Sequence, residues 1–135
     1  MSLGWDDRLA IRELVARYDR AIDDGDAVAW AACFTEDGVW DAGPLKVEGR
    51  VALEAFARGL PDNPAFAAFR GSRHACANFE IEGAGDEVRL RCDNLMLRPV
   101  EGGVTAFWAA DYDDRVRRVG GQWLFASRRT RPVRP

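Results

Sequence analysis

The sequence predicts an α+β fold in which helices come first and a run of antiparallel strands follows. Two observations support this prediction. In the first half of the chain, apolar residues recur every three or four positions, which is the spacing of amphipathic helices. After Gly71 they alternate with polar residues, and glycine-containing turns separate the alternating stretches. Helices segregated to one side of an antiparallel sheet define the α+β class.

The first helix is predicted to begin at Asp6 and Asp7, which are candidate N-caps, and to end near Gly25, which suits a left-handed C-cap. Its apolar stripe contains Ile11, Leu14, Val15, Tyr18 and Ile22. Two carboxylates near the end of this helix could face inward. On a helical wheel Asp19 lies about 80° from the centre of the stripe and Asp23 about 120°, so wheel geometry slightly prefers Asp19.

The rest of the first half contains shorter elements. In chain order these are a helix over 27–34 with Asp26 as its N-cap, a turn at 35–38, a strand over 39–41, a helix after Gly49, and a helical turn from Asn63 to Phe69.

Four long strands are predicted after Gly71, over 73–82, 87–100, 104–119 and 122–133. Alternation assigns their residues to faces. On the first strand one face carries His74, Cys76, Asn78 and Glu80. On the second strand one face carries Val88, Leu90, Cys92, Asn94, Met96 and Arg98. On the third and fourth strands, shared faces carry Trp108, Ala110 and Tyr112, and Trp123, Phe125 and Ser127. The mostly apolar set on the second strand is expected to line a cavity that faces the helices.

Composition limits the possible functions. A chain of 135 residues, 47% of them hydrophobic, suits one packed domain over residues 1–135. Three cysteines without CxxC spacing and a single histidine argue against a disulfide scaffold and against a zinc site, so no metal is expected. No apolar stretch is long enough to cross a membrane, and residues 1–7 lack a signal-peptide pattern. We therefore expect a cytoplasmic protein that does not bind membranes.

Charge is distributed unevenly along the chain. Residues 115–135 contain seven Arg and no acidic residue, whereas the first 114 residues contain all 22 acidic residues. A basic tail can bind nucleic acid. The alternative is that these Arg lie on the outward faces of two strands and pair with acidic patches. The scarcity of stacking aromatics in the tail and the acidic pI of 5.2 favour the alternative, so no nucleic-acid partner is expected.

The only histidine, His74, is a candidate for proton transfer, since an imidazole can change charge near neutral pH. The competing interpretation is a buried, hydrogen-bonded core residue, which is the commoner role for an isolated histidine. Candidate acidic partners are Asp19, Asp23 and Asp41. Spacing alone would make Asp23 part of a solvated turn.

Several segments together resemble SnoaL-like domains of the nuclear-transport-factor-2-like superfamily. They are residues 18–26, 33–41 and 47–50, Arg73 and His74 with Asn78, and 121–129. The resemblance spans about Asp6 to Arg129. It implies a cone-shaped α+β barrel, in which a curved antiparallel sheet wraps three to four N-terminal helices around an apolar pocket. It also implies homodimers formed through the outer sheet face, and dehydratase, isomerase or cyclase chemistry without a cofactor.

The resemblance also implies roles for individual residues. In scytalone-dehydratase-like members an Asp at the end of the first helix orients a proton-transferring His on the first long strand, and those positions match Asp23 and His74. An aromatic, polyketide-like or other hydrophobic substrate would be oriented by polar and aromatic residues: Tyr18, Trp40, Asp41, Asn94, Arg98 and Tyr112. The second pocket histidine of scytalone dehydratase has no counterpart here, because its position falls near Arg98.

Residues 73–129 are also similar to beta subunits of aromatic-ring-hydroxylating dioxygenases. Those subunits are structural partners of an iron-bearing alpha subunit and carry no chemistry. This alternative predicts a non-catalytic structural or ligand-binding subunit. Its working surface would be the outer sheet face, which carries Arg89, Arg91, Asp93, Leu95 and Leu97.

Overall fold

The computed structural model describes residues 2–135, and it confirms the α+β class. The elements in chain order are α1 (Trp5–Asp23), α2 (Ala27–Ala32), β1 (Phe34–Asp41), β2 (Lys46–Glu48), α3 (Arg50–Gly59), two 3₁₀ turns (Leu60–Asp62 and Pro64–Phe69), β3 (Arg73–Ala84), β4 (Glu87–Val100), β5 (Gly103–Val119) and β6 (Gln122–Pro132). Within residues 2–135, no helix is both long and apolar enough to cross a membrane.

The six strands form one sheet in the order β2-β1-β6-β5-β4-β3. Every neighbouring pair is antiparallel except β1 and β6, which run parallel. The predicted antiparallel arrangement of the four long strands, β3 to β6, is confirmed, whereas the antiparallel sheet that the resemblance implies does not extend to the pair of β1 and β6. The physical reason is connectivity: β3 to β6 are joined by tight hairpins, whereas β1 reaches β6 only through the rest of the chain. The sheet ends at β2 and β3 and does not close into a barrel.

The helices pack on one face of the sheet, which we call the inner face. The predicted stripe of α1 is largely buried, with Ile11 and Leu14 fully inaccessible. It meets inner-face residues of β4, β5 and β6 in a single apolar core that includes Val88, Leu90, Val116 and Phe125. Burying such a side chain contributes up to about 1.5–3 kcal/mol. This core fixes α1 across the sheet.

One extra residue in β3 changes which side chains face the core. The pairing with β4 shifts between Ala77 and Glu80, and Asn78 there adopts a left-handed φ of 58°. Asn78 and Glu80 consequently lie on the outer face, where the Asn78 amide donates to Asp93 at 2.7 Å. The prediction that both share the face of His74 is wrong, because a β-bulge reverses the alternation.

A second bulge has the same effect in β6. Arg115 pairs with Ser127 but Val116 pairs with Phe125, so β6 contains one extra residue at this point. Ser127, predicted to lie on the face of Phe125, points the other way, and the fully buried Arg128 points inward instead. The expectation that the tail arginines face outward therefore fails at Arg128. It holds for Arg117, which pairs with Glu87, and for Arg129, which pairs with Asp113. Arg118 has the strand parity of the inward Val116, and it pairs with Asp7 of α1 at 3.0 Å as well as with Asp86.

Smaller differences concern element ends. The helix α1 begins at Trp5 after Gly4, so Asp6 and Asp7 occupy its first turn and are not caps. The Asp26 side chain does cap α2, accepting from the Ala29 amide at 3.0 Å. Residues 35–38, which were predicted to form a turn, lie inside β1, at the point where the pairing register between β1 and β6 shifts. The strand β2 was not predicted.

Candidate active site

The last residue of α1 and the second residue of β3 meet at one end of the sheet. The Asp23 carboxylate accepts two hydrogen bonds from His74. Its Oδ1 lies 2.6 Å from the imidazole Nδ1, and its Oδ2 lies 2.9 Å from the backbone nitrogen. The side chains are 7% and 16% exposed, respectively. A carboxylate held at both oxygens fixes the plane of the imidazole.

This contact determines what His74 can do. With its Nδ1–H donated to Asp23, the neutral ring has its lone pair on Nε2. Among residues 2–135, Nε2 has no hydrogen-bond partner. A carboxylate beside Nδ1 also stabilises the imidazolium that forms when Nε2 accepts a proton. The pair can therefore take up a proton and return it.

The alternative carboxylate, Asp19, occupies a different position. It lies one turn earlier on α1 and is buried, and its Oδ1 has no hydrogen-bond partner in the structure. Burial raises the pKa of Asp19, while the positive charge of Arg128 and that of a protonated His74 lower it. Asp23, not Asp19, makes the hydrogen bond to His74.

Aromatic rings surround the inner side of the pair. The Tyr18 ring meets the imidazole edge-on at 6.5 Å and lies 5.5 Å from the ring of Trp30. Tyr112 approaches Tyr18 edge-on at 6.5 Å. Burial raises the pKa of both tyrosines, so each keeps its hydroxyl proton at neutral pH and can donate a hydrogen bond.

Arg128 is a prominent interior group that sequence reasoning missed. Its guanidinium is fully buried, 3.7 Å above the ring of Tyr112 and 4.3 Å above that of Tyr18. Its Nε lies 3.3 Å from Asp114 Oδ1. Burial disfavours the charged guanidinium, but Asp114 and the tyrosines raise the pKa of Arg128, so it remains a cation. Burial raises the pKa of Asp114 to about 7, against the opposing effect of Arg128.

Buried polar atoms without hydrogen-bond partners concentrate in this region. Among residues 2–135 they are Asp19 Oδ1, the indole nitrogens of Trp30 and Trp40, both carboxylate oxygens of Asp114, and Nε and Nη1 of Arg128. Such atoms are rare in folded proteins, and each typically costs about 1–3 kcal/mol, which the ion pair between Arg128 and Asp114 offsets in part for those two residues. The interior around Tyr18 thus offers both donors and acceptors to a polar group.

The remaining predicted substrate-orienting residues divide into two groups. Asn94 is buried directly opposite Cys76 in the ladder of β3 and β4, and its Oδ1 accepts from the Cys76 thiol at 3.7 Å. Trp40 is buried against Phe56 at 5.2 Å. Both belong to the interior that contains His74.

Asp41 and Arg98 lie elsewhere. The Asp41 carboxylate accepts from the Gly43 amide at 2.8 Å, at the end of β1. Arg98 donates to the Ala68 carbonyl and lies 4.1 Å above the Phe107 ring, so it holds the second 3₁₀ turn. Neither contacts the Asp23–His74 pair. Within residues 2–135, no three His, Cys, Asp or Glu side chains converge as a metal ion would require.

Comparison with known families points to one family. The family model described as a SnoaL-like domain matches residues 5–129. No curated protein matches the chain significantly.

Solved structures match over almost the whole chain. An Asp-to-Asn variant of Rv3472, a protein of unknown function from Mycobacterium tuberculosis, is 31% identical with a TM-score of 0.83, over 97% of this chain and 74% of its own. A protein from Novosphingobium aromaticivorans provisionally assigned as a scytalone dehydratase is 26% identical with a TM-score of 0.77, over 94% and 84%. A provisionally assigned aromatic ring hydroxylase from the same organism is 25% identical with a TM-score of 0.80, over 99% and 94%.

Proposed function

The chain belongs to the family of SnoaL-like domains, and we propose that it is a cofactor-independent enzyme of the dehydratase, isomerase or cyclase type. Asp23 and His74 are its acid/base pair, and its substrate is an aromatic, polyketide-like or other hydrophobic small molecule. The observation that carries the proposal is the two-point hydrogen bonding of His74 by Asp23, which leaves Nε2 available as a base. The likeness to a provisionally assigned scytalone dehydratase supports it.

In a dehydration, Nε2 of His74 takes the proton from a carbon beside a carbonyl group. The electron pair of that C–H bond forms a new double bond as the hydroxyl on the next carbon leaves. The imidazolium then gives its proton to the departing hydroxyl, so that water is released. An isomerisation would use the same base but return the proton to a different carbon. Such acid/base catalysis typically contributes about 10²–10⁴-fold.

The surrounding groups favour an oxygenated, largely apolar substrate. Tyr18 and Tyr112 keep their hydroxyl protons and can donate to a carbonyl or phenolic oxygen. Arg128 supplies a fixed positive charge that favours a developing enolate. The rings of Trp40 and its neighbours provide the apolar wall, and Asn94 adds an amide. This combination of apolar walls with a few polar groups is typical of small-molecule sites.

The proposal is tested by hydrogen exchange on enolisable ketones, with 2-tetralone as the first probe, in D₂O followed by proton NMR. We expect His74→Gln to slow catalysed exchange by about 10²–10⁴-fold, and Asp23→Asn to slow it by part of that factor. Asp24→Asn is the matched control. Asp24 is the next carboxylate along the chain, is exposed, and pairs with Arg73 at 3.1 Å.

The control should exchange the ketone within about twofold of the wild-type rate, since an exposed ion pair does not contact the ring of His74. Circular dichroism would establish that the variants are folded. Catalysed exchange that survives His74→Gln in a folded protein would exclude this histidine as the base.

A second candidate function is that of a non-catalytic structural or ligand-binding subunit, like the ring-hydroxylating dioxygenase beta subunits. The likeness to a provisionally assigned aromatic ring hydroxylase favours it. It predicts that the chain forms a stable complex with a hydroxylase alpha subunit on co-expression, at a stoichiometry measurable by light scattering. A chain that stays separate in this experiment, and that exchanges the ketone by way of His74, would eliminate this candidate.

We also propose that the chain forms a homodimer through the outer sheet face. That face carries rows of opposite charges, such as Arg89 bound to Asp113 at 2.7 Å, and Leu95 remains 40% exposed there. Light scattering of the wild type should give twice the monomer mass, and Leu95→Asp should give the monomer mass. Val51→Asp, at an exposed apolar residue on α3, should leave the dimer intact. A monomeric wild-type chain would refute this proposal.

A further inference from the structure

A crevice of about 650 Å³ opens where β1 and β6 separate. The two strands pair in parallel as far as Asp41 and Arg129. Beyond that point β1 turns back into β2, while β6 continues to Pro132. The side chains that determine its chemistry are Asp41, Lys46, Arg129, Thr130, Arg131 and Arg134.

The crevice is strongly cationic, because four basic side chains line it and only one carboxylate does. Arg131 and Arg134 have no carboxylate within 4.0 Å among residues 2–135. Arg129 reaches Asp113 at 3.4 Å, but that carboxylate already accepts from Nε and Nη2 of Arg89, at 2.9 and 2.7 Å. Arg131 is the ladder partner of the exposed Asp111, and Arg129 and Arg131 also lie beside Asp93 on the outer face, so the protein neutralises the cations of the crevice only in part.

The one carboxylate in the crevice, Asp41, forms no ion pair within 4.0 Å among residues 2–135. Oδ1 of Asp41 accepts from the Gly43 amide. Lys46, across the hairpin from Asp41, reaches Glu48 only at 4.0 Å. Converging like charges create a positive potential that attracts multiply charged anions. Single exposed ion pairs contribute little, so a ligand must engage several of these cations at once.

From this geometry we propose that the crevice binds a small molecule bearing a diphosphate group. The planar fork of Arg matches phosphate oxygens bidentately, and three of the four cations are Arg. The Thr130 hydroxyl adds a donor beside them. No aromatic side chain lines the crevice, whereas sites for single-stranded nucleic acid use aromatic rings to stack bases. A small phosphate compound therefore fits the site better than a nucleic acid.

The crevice lies at the same end of the sheet as His74. Along the ladder Pro132 pairs with Ala110, Ala110 with Asn94, and Asn94 with Cys76, which is two residues from His74. Two sources of the diphosphate follow. The ligand is either a free diphosphate compound or a diphosphate ester. In the second case the diphosphate binds in the crevice while the apolar chain of the ester enters the interior around His74, and this case rests on the proposed function.

The test is calorimetric titration of the full chain with inorganic pyrophosphate at low salt. We expect binding by the wild type, and a loss of about tenfold or more in affinity for the double variant Arg131→Ala with Arg134→Ala. Arg115→Ala is the matched control, because Arg115 is an exposed arginine on β5 with no carboxylate within 4.0 Å among residues 2–135. It should bind pyrophosphate within about twofold of the wild type. All three residues are exposed, so folding should be unchanged.

Absence of pyrophosphate binding by the wild type would overturn the proposal. So would an equal loss in Arg115→Ala, because that result indicates general charge attraction only. A 20-base-pair DNA duplex that binds far more tightly than pyrophosphate would overturn it in favour of nucleic acid.

A last arm distinguishes the two sources of the diphosphate. If the site anchors an ester, geranyl diphosphate should bind more than about tenfold tighter than pyrophosphate, and it should shift the proton NMR signals of His74, the only histidine in the chain. Equal affinities and unchanged His74 signals would identify a free diphosphate. The crevice proposal stands in both cases, and neither result depends on His74 being catalytic.

Discussion

Replacing Arg128 with methionine should destabilise the fold strongly, because the change leaves Asp114 without its charge partner. Both side chains are completely buried, with 3.3 Å between Nε and Oδ1. Removing one partner of a buried ion pair typically costs about 3–5 kcal/mol. The variant also loses the stacking of the guanidinium on Tyr112 and Tyr18. The loss is a large share of the free energy of unfolding of a typical domain, which is about 5–15 kcal/mol.

A second substitution should restore most of this loss. When Asp114→Val is added to Arg128→Met, no charge is left in the interior at this position. Replacing a whole buried ion pair by apolar residues is often neutral or stabilising by about 1–4 kcal/mol. The double variant should therefore be more stable than Arg128→Met alone, which gives a large coupling energy in a double-mutant cycle.

The deficit of the single variant should also depend on pH. Burial raises the pKa of Asp114 to about 7 from its ordinary value of 3.8. The stability that its protonated form contributes is complete below about 3.8 and is lost as the pH rises through about 7. In Arg128→Met the pKa of Asp114 rises further, because no neighbouring positive charge lowers it. The stability that the protonated carboxyl contributes is then lost over a wider pH range, which extends above pH 7. Above pH 7 the deficit should grow by up to about 1.4 kcal/mol per pH unit.

Urea denaturation at pH 6 and pH 8.5, followed by tryptophan fluorescence, measures both effects. The wild type, the single variant Arg128→Met and the double variant with Asp114→Val would be compared at each pH. Equal free energies of unfolding for the single and double variants would refute the reasoning about an uncompensated charge. A deficit that is the same at both pH values would refute the assignment of the pH dependence to Asp114.

Three further predictions concern the backbone and the Asp23–His74 pair. Gly38→Ala places a Cβ only 2.7 Å from a neighbouring side-chain carbon, so it should lower the melting temperature and cost about 1–3 kcal/mol in stability. Gly59→Ala is the control, because its Cβ would face open space and should leave the melting temperature unchanged. Asn78→Ala should cost about 1–2 kcal/mol in chemical denaturation because of its left-handed φ of 58°, and Asn78→Gly should recover much of that loss. Asp23→Asn cannot accept both hydrogen bonds of His74, so the His74 amide should exchange its hydrogen at least about tenfold faster in NMR-detected exchange. An unchanged exchange rate would show that this amide does not depend on the carboxylate.

The elements with regular periodicity were predictable from the sequence. The strand β4, predicted over 87–100, has those bounds in the structure, and its alternating residues from Val88 to Met96 are buried as expected. Each of its side chains keeps its face because no extra residue interrupts β4. The helices α1 and α3 were likewise found from their apolar spacing. In these elements the local sequence pattern and the burial of one face both specify the same secondary structure.

Positions downstream of a bulge could not be predicted in this way. A single extra residue moves every later side chain of a strand to the other face, as happened to Asn78 in β3 and to Ser127 in β6. The residues at the β6 bulge are Phe125, Ala126 and Ser127, and none of them is a glycine or proline that would indicate an irregularity. The parallel pairing of β1 with β6 is a long-range contact without a local signal.

The bulge in β6 has a consequence for the chemistry of the interior. Without Ala126 as the extra residue, strict alternation from Phe125 would direct Ser127 inward and Arg128 to the outer face, among the other tail arginines. The extra residue exchanges an interior hydroxyl for a guanidinium that stacks on Tyr18. Tyr18 in turn meets His74 edge-on, so a backbone irregularity in the last strand places a permanent positive charge one ring away from the proposed base. The Asp23 carboxylate, 2.6 Å from Nδ1 of His74, supplies a negative charge that compensates it.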